Sequence, residues 1–189
     1  MIAAKKTSWR INRHGWLVDG RRVLSPNFDA RPRNAVVDLI VIHNISLPPG
    51  EFGGPGIAEL FTNRLDPDSH PYYKTIHELR VSAHFLIRRD GEVIQFVSCE
   101  ARAWHAGESS WDGRQGCNDF SIGVELEGCD EHSFEKRQYT ALAELTRAIR
   151  ARYPIRGVMG HADIAPNRKT DPGPYFNWHR YLHLIGAIQ

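Results

Sequence analysis

A chain of 189 residues, 41% hydrophobic and 24% charged, can bury one core and is short for two. Sixteen glycines and eleven prolines without a period, together with 10% aromatics, argue against collagen, coiled coil and disorder. Lys and Arg number 24 against 22 Asp and Glu, and this interspersed net +2 is too mild to point to nucleic acid or an anionic membrane as partner.

The first ten residues, Met1 to Arg10, are polar and no apolar stretch follows before Arg21-Arg22, so no signal peptide is read and a cytoplasmic protein is expected. No window approaches the ~20 apolar residues that cross a bilayer. Val36 to His43 is a nearly continuous β-branched run, the mark of a strand buried on both faces. It stops at Ser46-Leu-Pro-Pro-Gly50. Gly50 to His77 is rich in turn residues, holds one short helical stretch at Ile57 to Asn63, and is suited to line a cleft. Ser82 to Arg88 and Val93 to Val97 flank Asp90-Gly91, which reads as an antiparallel hairpin. Phe120 to Glu127 alternates Ile122, Val124 and Leu126 with Gly123, Glu125 and Glu127, a further strand. From Glu135 to Tyr153 the period changes, and Tyr139, Leu142, Leu145, Ile149 and Tyr153 form the stripe of a long amphipathic helix. The whole reads as one α/β domain, a mixed sheet with helices packed on it. Cys99, Cys117 and Cys129 are an odd set without a C-x-x-C pair and read as reduced thiols.

Ten histidines stand out, because each can ligate a metal or titrate near neutral pH. His77-Glu78 begins an H-E-x-x-H match that fails at Val81. The tail from Gly160 to Pro174 is richer, gathering His161, Asp163, Lys169 and Asp171 in what reads as loop. A hydrolytic zinc needs three protein ligands and one open position. The tail can supply two, and His43, at the end of its strand, a third, although a satisfied structural histidine is the commoner meaning of such a residue. In an extended stretch Lys169 and Asp171 face the same way, so a carboxylate on the metal sets an ammonium beside it. Glu125 and Glu127 share a strand face, and Gly123 leaves room above the sheet. Either carboxylate is a candidate general base, and either is equally a solvated surface charge.

Taken together these segments resemble the zinc-dependent N-acetylmuramoyl-L-alanine amidases of the peptidoglycan-recognition fold, most closely the cytoplasmic 1,6-anhydro-N-acetylmuramoyl-L-alanine amidases of AmpD type. The resemblance runs through Ser25-Pro-Asn-Phe28, Val41 to Pro55, Leu79 to His84, Arg88 to Glu92, Arg102-Ala-Trp-His-Ala-Gly107, Cys117 to Gly123, Glu125-Leu-Glu-Gly128 and Arg168-Lys-Thr-Asp-Pro-Gly-Pro174, on to Trp178. It implies one amidase domain over residues 1–189, with a core at about 25–180 and an N-terminal extension at about 1–20. It implies one zinc held by His43, His161 and Asp171, Glu125 as catalytic acid/base, and Lys169 near the scissile carbonyl. Asn44, Arg80, Trp104 and His105 fall in segments expected to line the cleft, Arg80 suiting a stem-peptide carboxylate. The implied activity is hydrolysis of the amide between N-acetylmuramic acid, preferably in the 1,6-anhydro form, and the L-alanine of the stem peptide. It implies a monomer acting on small muropeptides in cell-wall recycling. A non-catalytic peptidoglycan-binding module and an exported amidase cutting intact wall are the alternatives; competent residues at every ligand position argue against the first. One position departs: where an Arg is expected before Cys117, this chain has Gly116, with Arg114 two residues earlier.

Overall fold

The apolar run at residues 36–43 becomes an inner strand, second from one edge, of a six-stranded sheet in the computed structural model, which describes residues 9–186. The strands are β1 (Arg21–Arg22), β2 (Phe28–Ala30), β3 (Leu39–Ile45), β4 (Phe85–Ile87), β5 (Val93–Gln95), β6 (Ala101–Ala103), β7 (Ser110–Trp111), β8 (Arg114–Gln115), β9 (Ser121–Glu127) and β10 (Gly157–Gly160). The helices are α1 (Gly56–Phe61), α2 (Tyr73–Ile76), α3 (Lys136–Arg150), α4 (His161–Ile164) and α5 (Trp178–Leu184). The sheet order is β1-β5-β4-β9-β3-β10. Strands β4, β9, β3 and β10 run parallel, and β5 is antiparallel to β4, so the sheet is mixed as expected.

Both faces are covered, which is why β3 reads as an unbroken apolar run. On one face Ile40, Ile42, Ile122, Val124 and Leu126 pack against Tyr139, Leu142, Leu145 and Ile149 of α3 and Tyr181 of α5. The other face divides into two clusters. Leu86, Ile94 and Phe96 meet Ile57, Leu60 and Phe61 of α1, while Leu39 and Val41 meet Ala106, Cys117, Phe120 and Ile164. Helix α3 is set in place by buried Gln138, whose Nε2 donates to the Glu127 carbonyl at 3.0 Å and whose Oε1 accepts from the Glu135 N–H.

Several boundaries differ from expectation. Strand β3 starts at Leu39, because the preceding N–H of Asp38 is turned to the Phe120 carbonyl and its carboxylate is held by Arg114. It runs two residues past His43. The 85–95 hairpin is antiparallel, but of its turn dipeptide only Gly91 takes a positive φ, +90°. The 160–174 segment is not all loop: α4 begins at His161, and Asp163 caps it by accepting the Gly160 N–H at 2.7 Å. Every residue of β9 is buried, so no solvated face carries its two glutamates. Within the stretch expected as an extension, Ile11 and Leu17 enter the core and the Leu17 N–H donates to Gln95 Oε1; residues 1–8 lie outside the described residues.

Leu142 is fully buried at the middle of the α3 stripe. Leu142→Ala is expected to cost about 2–5 kcal/mol, read from the urea midpoint at unchanged m-value; a loss below about 1 kcal/mol would contradict this placing of the helix.

Candidate metal centre and cleft

Parallel register builds the site. Gly160 of β10 pairs with Ile42 of β3, so His161 comes next, one step along from that pair, and His43 pairs with Glu125 of β9. Leu39, Val41 and His43 share a face by the period of two, and Glu125 stands abreast of His43 on it. Three neighbouring strands thus deliver two imidazoles and a carboxylate near their C-terminal ends, where open α/β sheets present functional groups.

Asp171 arrives from the segment after α4. Its Oδ2 lies 2.9 Å from His43 Nδ1 and 3.0 Å from His161 Nδ1, and the two Nδ1 atoms are 3.0 Å apart. His161 Nε2 is 3.0 Å from the Ala106 carbonyl, which can only accept. That nitrogen therefore carries the proton of the neutral ring, and Nδ1 is bare. Burial works to raise the Asp171 carboxyl, but contact with His161 and His43 outweighs it and holds the group far below its ordinary value. Burial drives His43 down to about 4, against the opposing carboxylate of Asp171. A bare imidazole nitrogen and an ionised carboxylate at 3.0 Å call for a cation between them. A set of two nitrogens and one oxygen suits a divalent metal with a free coordination position.

Glu125 is 8% exposed, and its Oε2 has no hydrogen-bond partner among the described residues. Burial, and after it the charge of Asp171, pushes its pKa well up, while Lys169 pulls the other way. Its neighbour Glu127 is a satisfied anion, accepting from Arg88 Nη1 at 2.8 Å and from the N–H groups of Gly53 and Arg89. Of the two glutamates only Glu125 is left free to act. Glu125, Lys169, Asp171 and both histidines line one cleft of about 410 Å³, whose apolar wall comes from Leu60, Phe61, Tyr72 and Ile76 in the segment expected to line it.

The other expected cleft residues divide. Asn44 lines the cleft but gives its amide to Asp130 Oδ1 at 2.7 Å. Trp104 lines it with its indole N–H on Asp29. Arg80 lies outside this cleft, borders an adjoining hollow of about 290 Å³ with Arg168, and points its guanidinium at the Glu78 carbonyl. His105 touches both hollows, but its Nδ1 faces His43 Nε2 at 3.0 Å. Arg114 does not reach either: it is paired with Asp38 and lies over the Phe120 ring. Sequence reasoning missed Arg31, whose buried guanidinium donates to the carbonyls of Cys99, Asn118, Asp119 and Ser121. No local pattern marks an arginine whose partners lie 68 to 90 residues away.

Residues 32–174 match the family described as N-acetylmuramoyl-L-alanine amidase. The 1,6-anhydro-N-acetylmuramyl-L-alanine amidase AmpD of Escherichia coli (strain K12) is 57% identical over 173 residues, 90% of this chain and 94% of that protein. This chain belongs to the N-acetylmuramoyl-L-alanine amidase family. The crystal structure of a selenomethionine AmpD derivative superposes with a TM-score of 0.89 at 57% identity, covering 91% of this chain and 97% of that one. A complex of the amidase AmiD from E. coli with anhydro-N-acetylmuramic acid-L-Ala-D-γ-Glu-L-Lys matches at a TM-score of 0.58 and 30% identity, covering 94% and 65%. The mixed sheet with flanking helices is thus the fold of this amidase family, and the cleft opens where β10, β3 and β9 end.

Behind the candidate triad, His84 is fully buried and its Nδ1 accepts the Gly123 N–H at 3.0 Å. Burial, then the adjacent Arg31 charge, drives its pKa down to about 3. The unfolded imidazole, near 6.5, binds its proton first, so this contribution to stability is whole above about pH 6.5 and is lost toward pH 3. The slope is about 1.4 kcal/mol per pH unit for one imidazole. Urea midpoints of chelated protein are expected to fall between pH 7 and 5, and to fall less in His84→Asn; equal slopes would contradict a neutral buried His84.

Proposed function

We propose that this chain is a zinc-dependent hydrolase of the amide joining N-acetylmuramic acid, in its 1,6-anhydro form, to the L-alanine of the stem peptide. It acts as a monomer with one zinc, on small muropeptides in the cytoplasm during cell-wall recycling. The observation that carries the reading is one cleft holding the His43, His161 and Asp171 donor set beside a buried carboxylate, Glu125, with an unpartnered oxygen. The names of the AmpD relatives support the substrate, as does the anhydromuropeptide bound to AmiD. Among the described residues no helix is long and apolar enough to cross a membrane.

His43 Nδ1, His161 Nδ1 and Asp171 Oδ2 would hold a zinc ion, which when bound would supply Lewis acidity toward water and the scissile carbonyl. Glu125 takes a proton from the attacking water and later delivers it to the departing alanine nitrogen. Its raised pKa matches this work, because a carboxyl that holds a proton more readily transfers it better near neutral pH. The Lys169 ammonium lines the same cleft and would stabilise the oxygen on which negative charge develops. The bond breaks between the lactyl carbonyl carbon and the alanine nitrogen, and no protein nucleophile is needed. Arg80, Arg168 and Lys169 surround the adjoining hollow with positive charge, which suits the carboxylates of a stem peptide.

Glu125→Ala is expected to lower kcat by about 10²–10⁴ while zinc stays at one per chain by elemental analysis; retained turnover would remove Glu125 from the mechanism. Asp171→Ala should lose the metal together with activity, and full zinc occupancy there would show the ligand set to be wrong. Lys169→Ala should lower kcat by about 10² with little change in KM, whereas an unchanged rate would make it a surface cation.

A further inference from the structure

The two imidazoles of the triad are held differently on their far sides. His161 gives its Nε2 proton to a backbone carbonyl, that of Ala106. His43 Nε2 instead faces a second imidazole, His105 Nδ1, at 3.0 Å, and His105 Nε2 lies 3.2 Å from Ser121 Oγ. An imidazole can donate or accept at either nitrogen, so this partner does not by itself decide where the His43 proton sits. The Ser121 hydroxyl can donate or accept and so fits either direction, and the metal-facing end decides it. His43 Nδ1 points at Asp171 Oδ2 and His161 Nδ1, and it must be bare to ligate, which leaves Nε2 as the protonated nitrogen that donates to His105 Nδ1. A neutral His105 that accepts at Nδ1 carries its proton on Nε2, and Ser121 Oγ accepts it.

The surroundings hold this chain rigidly. The N–H groups of His105 and Ala106 both donate to Asn118 Oδ1, at 3.1 and 2.8 Å, and Arg31 grips the Ser121 carbonyl at 2.8 Å. The His105 ring lies on the sheet where residue 123 has no side chain. A Cβ there would come within 2.5 Å of His105 Cγ, so the room that Gly123 leaves is filled by an imidazole. Both ring nitrogens of His105 are engaged inside the protein.

We infer that His105 is a positioning residue of the metal centre, accepting at Nδ1 and donating at Nε2 to Ser121, so that His43 is fixed as the tautomer with a bare Nδ1. The inference rests on the metal site proposed above. It makes His105 a support for a metal ligand, not a substrate contact, and it gives Gly123 a purpose.

Zinc affinity tests it, by competition with a chromophoric chelator on the full chain. Wild type should bind one zinc and Asp171→Ala none; failure of that pair of controls would sink the metal site itself and the inference with it. With those controls met, His105→Leu should weaken zinc binding about 10–100-fold, Gly123→Ala should do the same by displacing the ring, and His105→Asn, whose Oδ1 can replace Nδ1 as acceptor, should stay within about threefold of wild type. KM for a muropeptide should stay unchanged in zinc-saturated His105→Leu. Unchanged zinc affinity in folded His105→Leu would overturn the inference, as would a raised KM at full zinc occupancy. A second measurement needs no variant: long-range ¹H–¹⁵N spectra of the wild type should find His43 and His105 each protonated at Nε2. A proton on His105 Nδ1 would contradict it.

Discussion

The parallel pairing of β10, β3 and β9 is the constraint on which the site depends. Because Gly160 stands beside Ile42 and His43 beside Glu125, His161 follows directly on its strand, and two imidazoles and a carboxylate come together without any long loop having to place them. A shift of one residue between β3 and β9 would turn His43 and Glu125 to opposite faces. The register is held by burial on both sides: Ile40, Ile42, Ile122 and Val124 lock into α3 and α5, and Leu39 and Val41 into a separate cluster. The candidate site therefore sits on strands that are buried on both faces. Only Asp171 and Lys169 come from the segment that follows α4.

Burial then sets the electrical character of the centre. His43, His84 and His105 are all driven toward the neutral form, chiefly by loss of water, and Glu125 is driven toward protonation for the same reason. Asp171, by contrast, is held in the ionised form by its contacts with His161 and His43. Neutral imidazoles beside one fixed negative charge are what a divalent cation needs, since each ligand must offer a lone pair rather than a proton. Arg31 adds a buried positive charge behind His84, its pKa lowered to about 10 by burial, and spends its donors on four backbone carbonyls of the surrounding strands and turns.

Much of this was legible in the sequence, for physical reasons that can be named. The apolar run ending at His43 and the 3.6-residue stripe from Tyr139 to Ile149 are local signatures of burial, and both elements formed with shifted ends. Glu125 and Glu127 shared a face in the sequence and were equivalent there. They differ because Arg88, 39 residues away, neutralises Glu127 and leaves Glu125 alone, a pairing that periodicity does not encode. Gly123 signalled open space above the sheet, and nothing local showed that His105 fills it. The resemblance to the amidases supplied the residue assignments; register, tautomers and the commitment of Arg114 to Asp38 became visible only in three dimensions.

Cleavage of one particular amide by this constellation is proposed to require a bound metal. Metal-free protein, prepared with a chelator, is to be incubated with an anhydromuropeptide before and after addition of one equivalent of zinc, and the products identified by mass. No cleavage is expected without metal and, with it, release of intact stem peptide beginning at L-alanine together with anhydro-N-acetylmuramic acid. Release of stem peptide by the metal-free protein, or cleavage within the peptide instead of before its alanine, would contradict it.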